Sequence, residues 1–253
     1  IAMKKLIILF AYFLITKTSI SQNLPKPGDS EVWNPEPTIV TPGYNNGPPS
    51  DAIVLFDGSD FSKWKSIKND QPIKWTINPD GSMTVKPGSG DIITKGEHGS
   101  IQLHIEWKSP IKITDDGQGR GNSGIYLQSR YEIQILDSNN NRTYSNGQAS
   151  SIYKQHMPLV NAMRPTGEWQ VYDIVFIEPK FNSNGDMVES GYITVFHNGI
   201  LVQNNAEILG TTENIGPPKR RLDQMSSYTN LLLQDHNDCC NFVSFRNIWM
   251  RKI

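Results

Sequence analysis

The 253-residue chain has little cysteine and almost no excess of charge. Its two cysteines, Cys239 and Cys240, are adjacent, and neighbouring cysteines bridge each other only with strain. A fold stapled by disulfides is therefore excluded. With 24 Lys and Arg against 25 Asp and Glu, the formal net charge is −1. That balance gives no electrostatic reason to expect nucleic acid or an anionic membrane as a partner.

The sequence also lacks the common catalytic signatures. It contains no Gly-x-Ser-x-Gly elbow, no phosphate-binding loop, no His-Glu-x-x-His and no Cys-x-x-Cys. These absences leave serine-hydrolase, nucleotide-binding and structural-zinc interpretations without support.

Long hydrophobic runs are missing as well. The run at Leu6–Ile15 is too short for a bilayer span of roughly 20 residues. Two lysines precede it, and the small residues Ser19 and Ser21 follow it, which is the pattern of a secretory signal peptide. We therefore expect residues 1–21 to be a signal peptide, the mature protein to be periplasmic or secreted, and no membrane span to remain after cleavage.

Proline separates the next segment from the rest of the chain. Residues 22–50 hold seven prolines and hardly any periodic apolar pattern. Because proline fixes φ and removes an amide donor, this segment is predicted to be an extended leader. Residues 51–253 then form a single domain.

Short apolar runs separated by turn residues fill that domain. In Ser100–Lys108 the apolar residues alternate with polar ones, which indicates a half-buried strand. Asn198-Gly199 is the pair that a type I′ hairpin requires. Similar runs cover 52–56, 74–77, 83–86, 123–128, 131–137, 171–177, 192–196, 200–202, 230–234 and 242–250. The pattern predicts an all-β protein, either a two-sheet β-sandwich or a jelly roll.

Polar residues on two of these strands are the first candidates for chemistry. Glu132 and Gln134 share one face of their strand, where they could hold a sugar hydroxyl or supply a general base. An exposed polar face without a role is the alternative. Arg130 is close enough in sequence to hold Glu132 ionised. Gln234 and His236 share a face at the end of another strand, although a single histidine is more often structural.

The longest predicted loop, 138–167, provides further candidates. It carries Lys154 and His156 within a cluster of donors, for which solvated loop polarity is the alternative. Tyr126 and Trp169 could stack on a sugar ring, although tryptophan in a sandwich is usually part of the core. No cofactor is expected. Asp and Asn side chains at 137–141 or 237–238 would suit Ca²⁺, but ordinary polar turns are the favoured interpretation.

Several motifs in order resemble one known family. They are the segments 55–64 (LFDGSDFSKW), 121–126 (GNSGIY), 131–138 (YEIQILDS), 167–174 (GEWQVYDI), 197–199 (HNG), 233–236 (LQDH) and 245–248 (FRNI). Each is weak alone, but their order is similar to that of the 3-keto-disaccharide hydrolase domain family. The resemblance spans roughly 52–253 and implies a concanavalin-like jelly roll and secretion by bacteria.

The resemblance also implies an activity, the cleavage of glycosides oxidised to a ketone at C3. Such a ketone acidifies the proton on C2, so that one base can start an elimination, after which water adds back. The base would be Glu132 or His236, and the leaving-group acid would be His156 or Lys154.

Polarisation of the ketone oxygen would then fall to Arg130, Gln134 and Gln234. The competing hypothesis is a carbohydrate-binding, lectin-like module without turnover.

Overall fold

The computed structural model describes residues 24–68, 71–221, 229–237, 240 and 242–253. The predicted signal peptide, Cys239 and Asp238 lie outside these residues. The chain divides into two compact units, Ile1–Ile39 and Val40–Ile253. The first contains a short 3₁₀ turn at Pro27–Ser30. Across the described ranges, no helix is long and apolar enough to cross a membrane.

The second unit is built from short strands. Their bounds are β1 Ile53–Phe56, β2 Trp64–Ser66, β3 Thr76–Ile77, β4 Met83–Thr84, β5 Ile92–Glu97, β6 Ile101–Lys108, β7 Ser123–Leu127, β8 Tyr131–Ile135, β9 Gln170–Ile177, β10 Lys180–Phe181, β11 Met187–Glu189, β12 Tyr192–His197, β13 Ile200–Glu207, β14 Asn230–Leu233 and β15 Ser244–Lys252. Two further 3₁₀ turns lie at Gly117–Gly119 and Ser145–Gly147.

Two antiparallel sheets form the sandwich. The larger has the order β13-β12-β9-β6-β15-β4-β3, with β1 also paired to β15. The smaller has the order β2-β5-β14-β7-β8. Neighbours that are distant in sequence, such as β6 beside β15, give the crossed connections of a jelly roll. The all-β jelly-roll sandwich predicted from the sequence is confirmed.

The core lies between the sheets and follows the period-two pattern of their strands. On β6, Ile101, Leu103, Ile105 and Trp107 are fully buried. On β8, the inward side chains include Ile133 and Ile135, as the sequence predicted. Burial of such side chains away from water is the main term that stabilises the sandwich.

One hairpin prediction is confirmed in detail. Asn198 and Gly199 connect β12 to β13, with φ of 52° and 80°. Both values lie in the left-handed region that a type I′ turn requires at its two central positions. The turn pairs His197 with Ile200 and so fixes the register of these two strands.

The outer face of β6 differs from the half-buried strand that we expected. His104 and Glu106 on this face are buried, and their polar groups form a network with neighbouring strands. Asp173 Oδ1 lies 2.7 Å from His104 Nδ1, and Arg246 Nε donates to Glu106 Oε2 at 2.6 Å. Asn247 Nδ2 donates to Glu106 Oε1 at 3.0 Å. Mutual pairing is what permits charged groups to be buried there.

Candidate functional site

A pocket of about 190 Å³ opens on the face of the five-stranded sheet that is turned away from the core. Side chains from β7, β8, the end of β14 and two loops line it: Asn122, Tyr126, Glu132, Gln134, Tyr153, Thr212, Asn214, Gln234 and His236. Five of the residues selected from the sequence therefore meet in one cavity, although they lie as much as 110 positions apart in the chain.

Strand pairing explains why these residues meet. Tyr126 on β7 lies opposite Glu132 on β8, and Gly124 lies opposite Gln134. Side chains directly opposite each other in an antiparallel pair lie on the same face. A Cβ placed on Gly124 would come within 2.6 Å of Glu132 Oε1 and 2.7 Å of Tyr126 Cε2. The missing side chain at this position therefore provides the space that the carboxyl group occupies.

Glu132 occupies the most unusual environment in the pocket. It is 3% exposed rather than lying on an open face, which corrects our expectation. Burial raises the pKa of Glu132 to about 8, while a hydrogen bond from Tyr126 and the charge of Lys154 oppose the rise. At neutral pH the carboxyl group is therefore mostly protonated and able to donate a proton. This also corrects the expectation that Arg130 holds Glu132 ionised.

Tyr126 connects Glu132 to the end of β14. Gln234 Nε2 donates to the Tyr126 hydroxyl at 3.2 Å, and Tyr126 in turn hydrogen-bonds the carboxyl group of Glu132. The side-chain oxygen of Gln234 is buried and has no hydrogen-bond partner among the residues that the structure describes. A buried acceptor without a partner is costly, so a bound hydroxyl group would satisfy it.

Two aspartates fix the position of His236. The Asp235 amide donates to Asp91 Oδ1 at 2.8 Å, and Asp235 Oδ2 accepts the Gly90 amide at 2.7 Å. Burial raises the pKa of Asp91, and the nearby charge of His236 is among the influences that lower it.

The long loop forms the opposite wall of the pocket. The Tyr153 amide donates to the Glu132 carbonyl at 3.0 Å, so the loop runs along the edge of β8. The Glu132 amide donates to Thr212 Oγ1 at 3.1 Å. Lys154 Nζ donates to the carbonyl oxygen of Asn214 and lies 3.3 Å from its Oδ1.

Four of the residues selected from the sequence lie outside the pocket lining: Arg130, Lys154, His156 and Trp169. His156 Nε2 contacts the Glu207 carbonyl at 2.7 Å, and Arg130 is buried against Tyr131. Trp169 lies beneath the Arg246 guanidinium, whose Cζ is 4.1 Å from the centre of its ring. The structure thus separates His156, Arg130 and Trp169 from the site, whereas Lys154 lies at its edge, with its Nζ 5.4 Å from the centre of the Tyr153 ring.

Four residues of the lining had not been singled out by the sequence: Asn122, Tyr153, Thr212 and Asn214. The only sequence signal for them was the donor cluster 153–156 and the Gly-Asn-Ser-Gly segment at 121–124. Thr212 and Asn214 follow β13 in a stretch without apolar periodicity, so no pattern marked them.

No metal site is seen among the residues that the structure describes, since no three His, Cys, Asp or Glu side chains converge there. In the first segment considered for Ca²⁺, Asp137 Oδ2 accepts hydrogen bonds from Arg120 Nε and Thr166 Oγ1, each at 2.8 Å. Protein donors therefore already occupy this carboxylate.

The chain is similar to known proteins in sequence and in fold. The family model of the 3-keto-alpha-glucoside-1,2-lyase-like domain matches residues 51–251. A candidate glycosyl hydrolase from Parabacteroides distasonis ATCC 8503 is 47% identical, with a TM-score of 0.84 over 90% of this chain and 97% of its own. A second candidate glycosyl hydrolase from the same strain is 20% identical, with a TM-score of 0.53 over 80% of this chain and 94% of its own. At this identity the similarity supports the fold alone. No curated protein matches the chain.

Proposed function

Because the chain belongs to the 3-keto-alpha-glucoside-1,2-lyase-like domain family, we propose that it is a glycosyl-hydrolase-like enzyme that cleaves glycosides carrying a ketone at C3. The observation that carries the proposal is the pairing, in one small pocket, of a protonated carboxyl group on Glu132 with the imidazole of His236. One group can donate a proton while the other accepts one, which is what an elimination across C1 and C2 requires.

The proposed reaction begins at C2. His236 removes the C2 proton, which the C3 ketone acidifies, and the electron pair of that bond moves into a C2–C3 enolate. As the ketone re-forms, the C1–C2 double bond forms and the C1–O bond breaks. Glu132 gives its proton to the leaving oxygen. Addition of water across C1 and C2 then yields the free 3-keto sugar.

This assignment resolves two alternatives that the sequence left open. Glu132 and His236 were equal candidates for the base, with His156 or Lys154 as the acid. The raised pKa of Glu132 favours the acid role, and the position of His156 outside the lining removes it from the site.

Amide side chains complete the proposed chemistry. Charge develops on the C3 oxygen as the C2 proton leaves, and preorganised donors stabilise such charge strongly in a site that excludes water. Asn122, Gln134 and Asn214 all present amide groups to the pocket. These amides are the polar groups that an enolate oxygen would contact.

The test is turnover of a 3-keto-disaccharide by the purified protein, followed by the release of free sugar. We expect release by the wild type, a slower rate when C2 carries deuterium, and large losses in Glu132→Gln and His236→Ala. His156→Ala, outside the pocket, is the matched control and should retain activity. Binding of the sugar without release would instead support the lectin-like module, and release without a deuterium effect would contradict the elimination.

A further inference from the structure

The pocket is too small for a whole disaccharide. Its volume of about 190 Å³ is below the range of roughly 300–1,000 Å³ that encloses drug-sized ligands. It can therefore surround one sugar ring, the ring that carries the reacting C1 and C2. The group that leaves from C1 must lie outside the pocket, against its rim.

Two tyrosines form one part of that rim. Tyr153 lines the pocket, and the centre of the Tyr144 ring lies 6.2 Å from that of Tyr153. Their hydroxyl oxygens are 2.5 Å apart, which joins the two side chains by a hydrogen bond. Tyr144 remains 41% exposed, so part of its ring is open to solvent next to the cavity.

The backbone fixes Tyr144 in this position. A Cβ on Gly147 would lie 2.1 Å from Tyr144 Cε2, so the ring packs directly on the glycine backbone. The Gly147 amide donates to the Tyr144 carbonyl at 3.0 Å, and Gln118 Nε2 donates to the Gly147 carbonyl at 3.0 Å. A ring held in this way loses little entropy when a ligand stacks on it.

Polar groups accompany the tyrosines. Lys154 Nζ lies 5.9 Å from the centre of the Tyr144 ring and 5.4 Å from that of Tyr153. It also donates to the carbonyl oxygen of Asn214, whose side chain lines the pocket. The rim thus combines a partly exposed aromatic ring with an ammonium group, an amide and two hydroxyls.

We propose that Tyr144, together with Lys154 and Asn214, is the binding subsite for the leaving group and that it accepts a second pyranose ring. The apolar face of a pyranose suits the tyrosine ring, and its hydroxyls suit the neighbouring polar groups. A purely apolar leaving group would strip water from these groups without pairing them, which is unfavourable. This inference rests on the proposed function, because it takes the pocket to hold the reacting ring.

The test compares two substrates that share the reacting ring, a 3-keto-disaccharide and the corresponding methyl 3-keto-glucoside. In Tyr144→Ala we expect kcat/KM to fall about tenfold for the disaccharide and to stay unchanged for the methyl glycoside. Tyr144→Phe keeps the ring and should retain most of the disaccharide activity. Tyr44→Ala is the matched control, since Tyr44 is 89% exposed and does not line the pocket.

Two kinetic results would overturn the subsite: an equal loss on both substrates, or no loss on either. Thermal unfolding of each variant identifies a general loss of folding. If Tyr144→Ala does not fold, the two substrates are compared with Tyr144→Phe instead. If the wild type turns over neither substrate, the proposed function fails separately. In that case calorimetry can still test the subsite, by measuring the affinities of the protein for an unoxidised disaccharide and for the corresponding methyl monosaccharide. The subsite is supported if the wild type binds the disaccharide more tightly than the monosaccharide and Tyr144→Ala loses this difference. It is overturned if the wild type binds both sugars equally or binds neither.

Discussion

At the scale of single residues, the role of Glu132 has a signature in the pH dependence of the reaction. Because burial raises the pKa of Glu132 to about 8, the acid form predominates below that pH and disappears above it. If Glu132 donates the proton, kcat/KM falls as the pH rises through about 8. If it is the base, kcat/KM instead rises through the same range. A pH profile with the 3-keto-disaccharide separates these two outcomes.

The same residue can be tested by substitution. Glu132→Gln keeps the size of the side chain but has no proton to transfer, so we expect kcat/KM to fall by a factor of about 10²–10⁴. The alkaline limb of the profile should vanish with it. Glu168→Gln, at an exposed position, is the control. It should leave both kcat/KM and the alkaline limb of the pH profile unchanged.

Gly124 gives a second prediction at this scale. The methyl group of Gly124→Ala would displace Glu132 Oε1 or Tyr126 Cε2, which lie 2.6 and 2.7 Å from the Cβ position. Displacing a reacting group by about 1 Å can cost 10²-fold in rate, and overpacking costs about 1–3 kcal/mol in stability. Gly96→Ala is the matched control, because a Cβ there meets nothing within 4 Å. Unchanged activity in Gly124→Ala would show that Glu132 has no fixed position.

The pocket also shows how far sequence reasoning reached at the residue scale. Period-two alternation placed Glu132 and Gln134 on one face, and Gln234 and His236 on another, and strand pairing brings those faces together. The pattern could not show that the face is covered. Coverage depends on the loop carrying Tyr153 and on the segment at 212–214, and loops have no period from which their path can be deduced.

At the scale of elements, the network across β6, β9 and β15 should make stability depend on pH in both directions. Burial alone would lower the pKa of His104, but hydrogen bonds and charges from Asp173 and Glu106 outweigh it and raise that pKa above 6.5. Burial alone would raise the pKa of Glu106, but hydrogen bonds from His104, Asn247 and Arg246 lower it to about 2. The two groups therefore stabilise the fold over different ranges.

The sign of each contribution follows from these shifts. The Glu106 contribution is present above its unfolded pKa of 4.5 and is lost as the pH falls through about 2. The His104 contribution is present below its unfolded pKa of 6.5 and is lost as the pH rises through the raised folded value. The network should stabilise the protein most between about pH 4.5 and 6.5.

Denaturant unfolding across this range tests the network. We expect Glu106→Gln to cost about 2–3 kcal/mol near pH 6 and much less near pH 2, where about half of the wild-type carboxyl groups are protonated. Glu97→Gln, on the exposed end of β5, should show no such dependence. A Glu106→Gln deficit that is the same at every pH would mean that packing, rather than charge, is lost.

The strands themselves were predictable where alternation was long. β6 and β9, with eight residues each, follow the runs marked in the sequence. β2, β5, β10 and β11 were missed. β5 begins with three consecutive buried residues, Ile92, Ile93 and Thr94, so it shows no alternation. β2 has only three residues, and its extended conformation depends on pairing with β5. Such strands are defined by their neighbours rather than by their own sequence.

At the scale of the whole molecule, the end of the proline-rich segment is hydrogen-bonded to β15, in the sheet that does not carry the pocket. Asn247 Nδ2 and Trp249 Nε1 donate to the Asn46 carbonyl at 3.0 and 3.1 Å. Proline content predicted an extended segment, but it could not predict this contact, because any residue can supply a carbonyl acceptor. The segment therefore stabilises the sandwich from the sheet that does not carry the pocket.

This arrangement predicts that stability and activity can be separated. A chain starting at residue 51 lacks the Asn46 acceptor, whereas a chain starting at residue 40 keeps the whole second unit, Val40–Ile253. Losing the two hydrogen bonds that Asn247 and Trp249 donate to Asn46 should cost about 1–3 kcal/mol and lower Tm by several degrees. Turnover of the 3-keto-disaccharide well below Tm should be the same for both chains, since the pocket lies on the other sheet. Equal melting temperatures would mean that the segment does not stabilise the sandwich, and unequal turnover would mean that the two sheets are coupled.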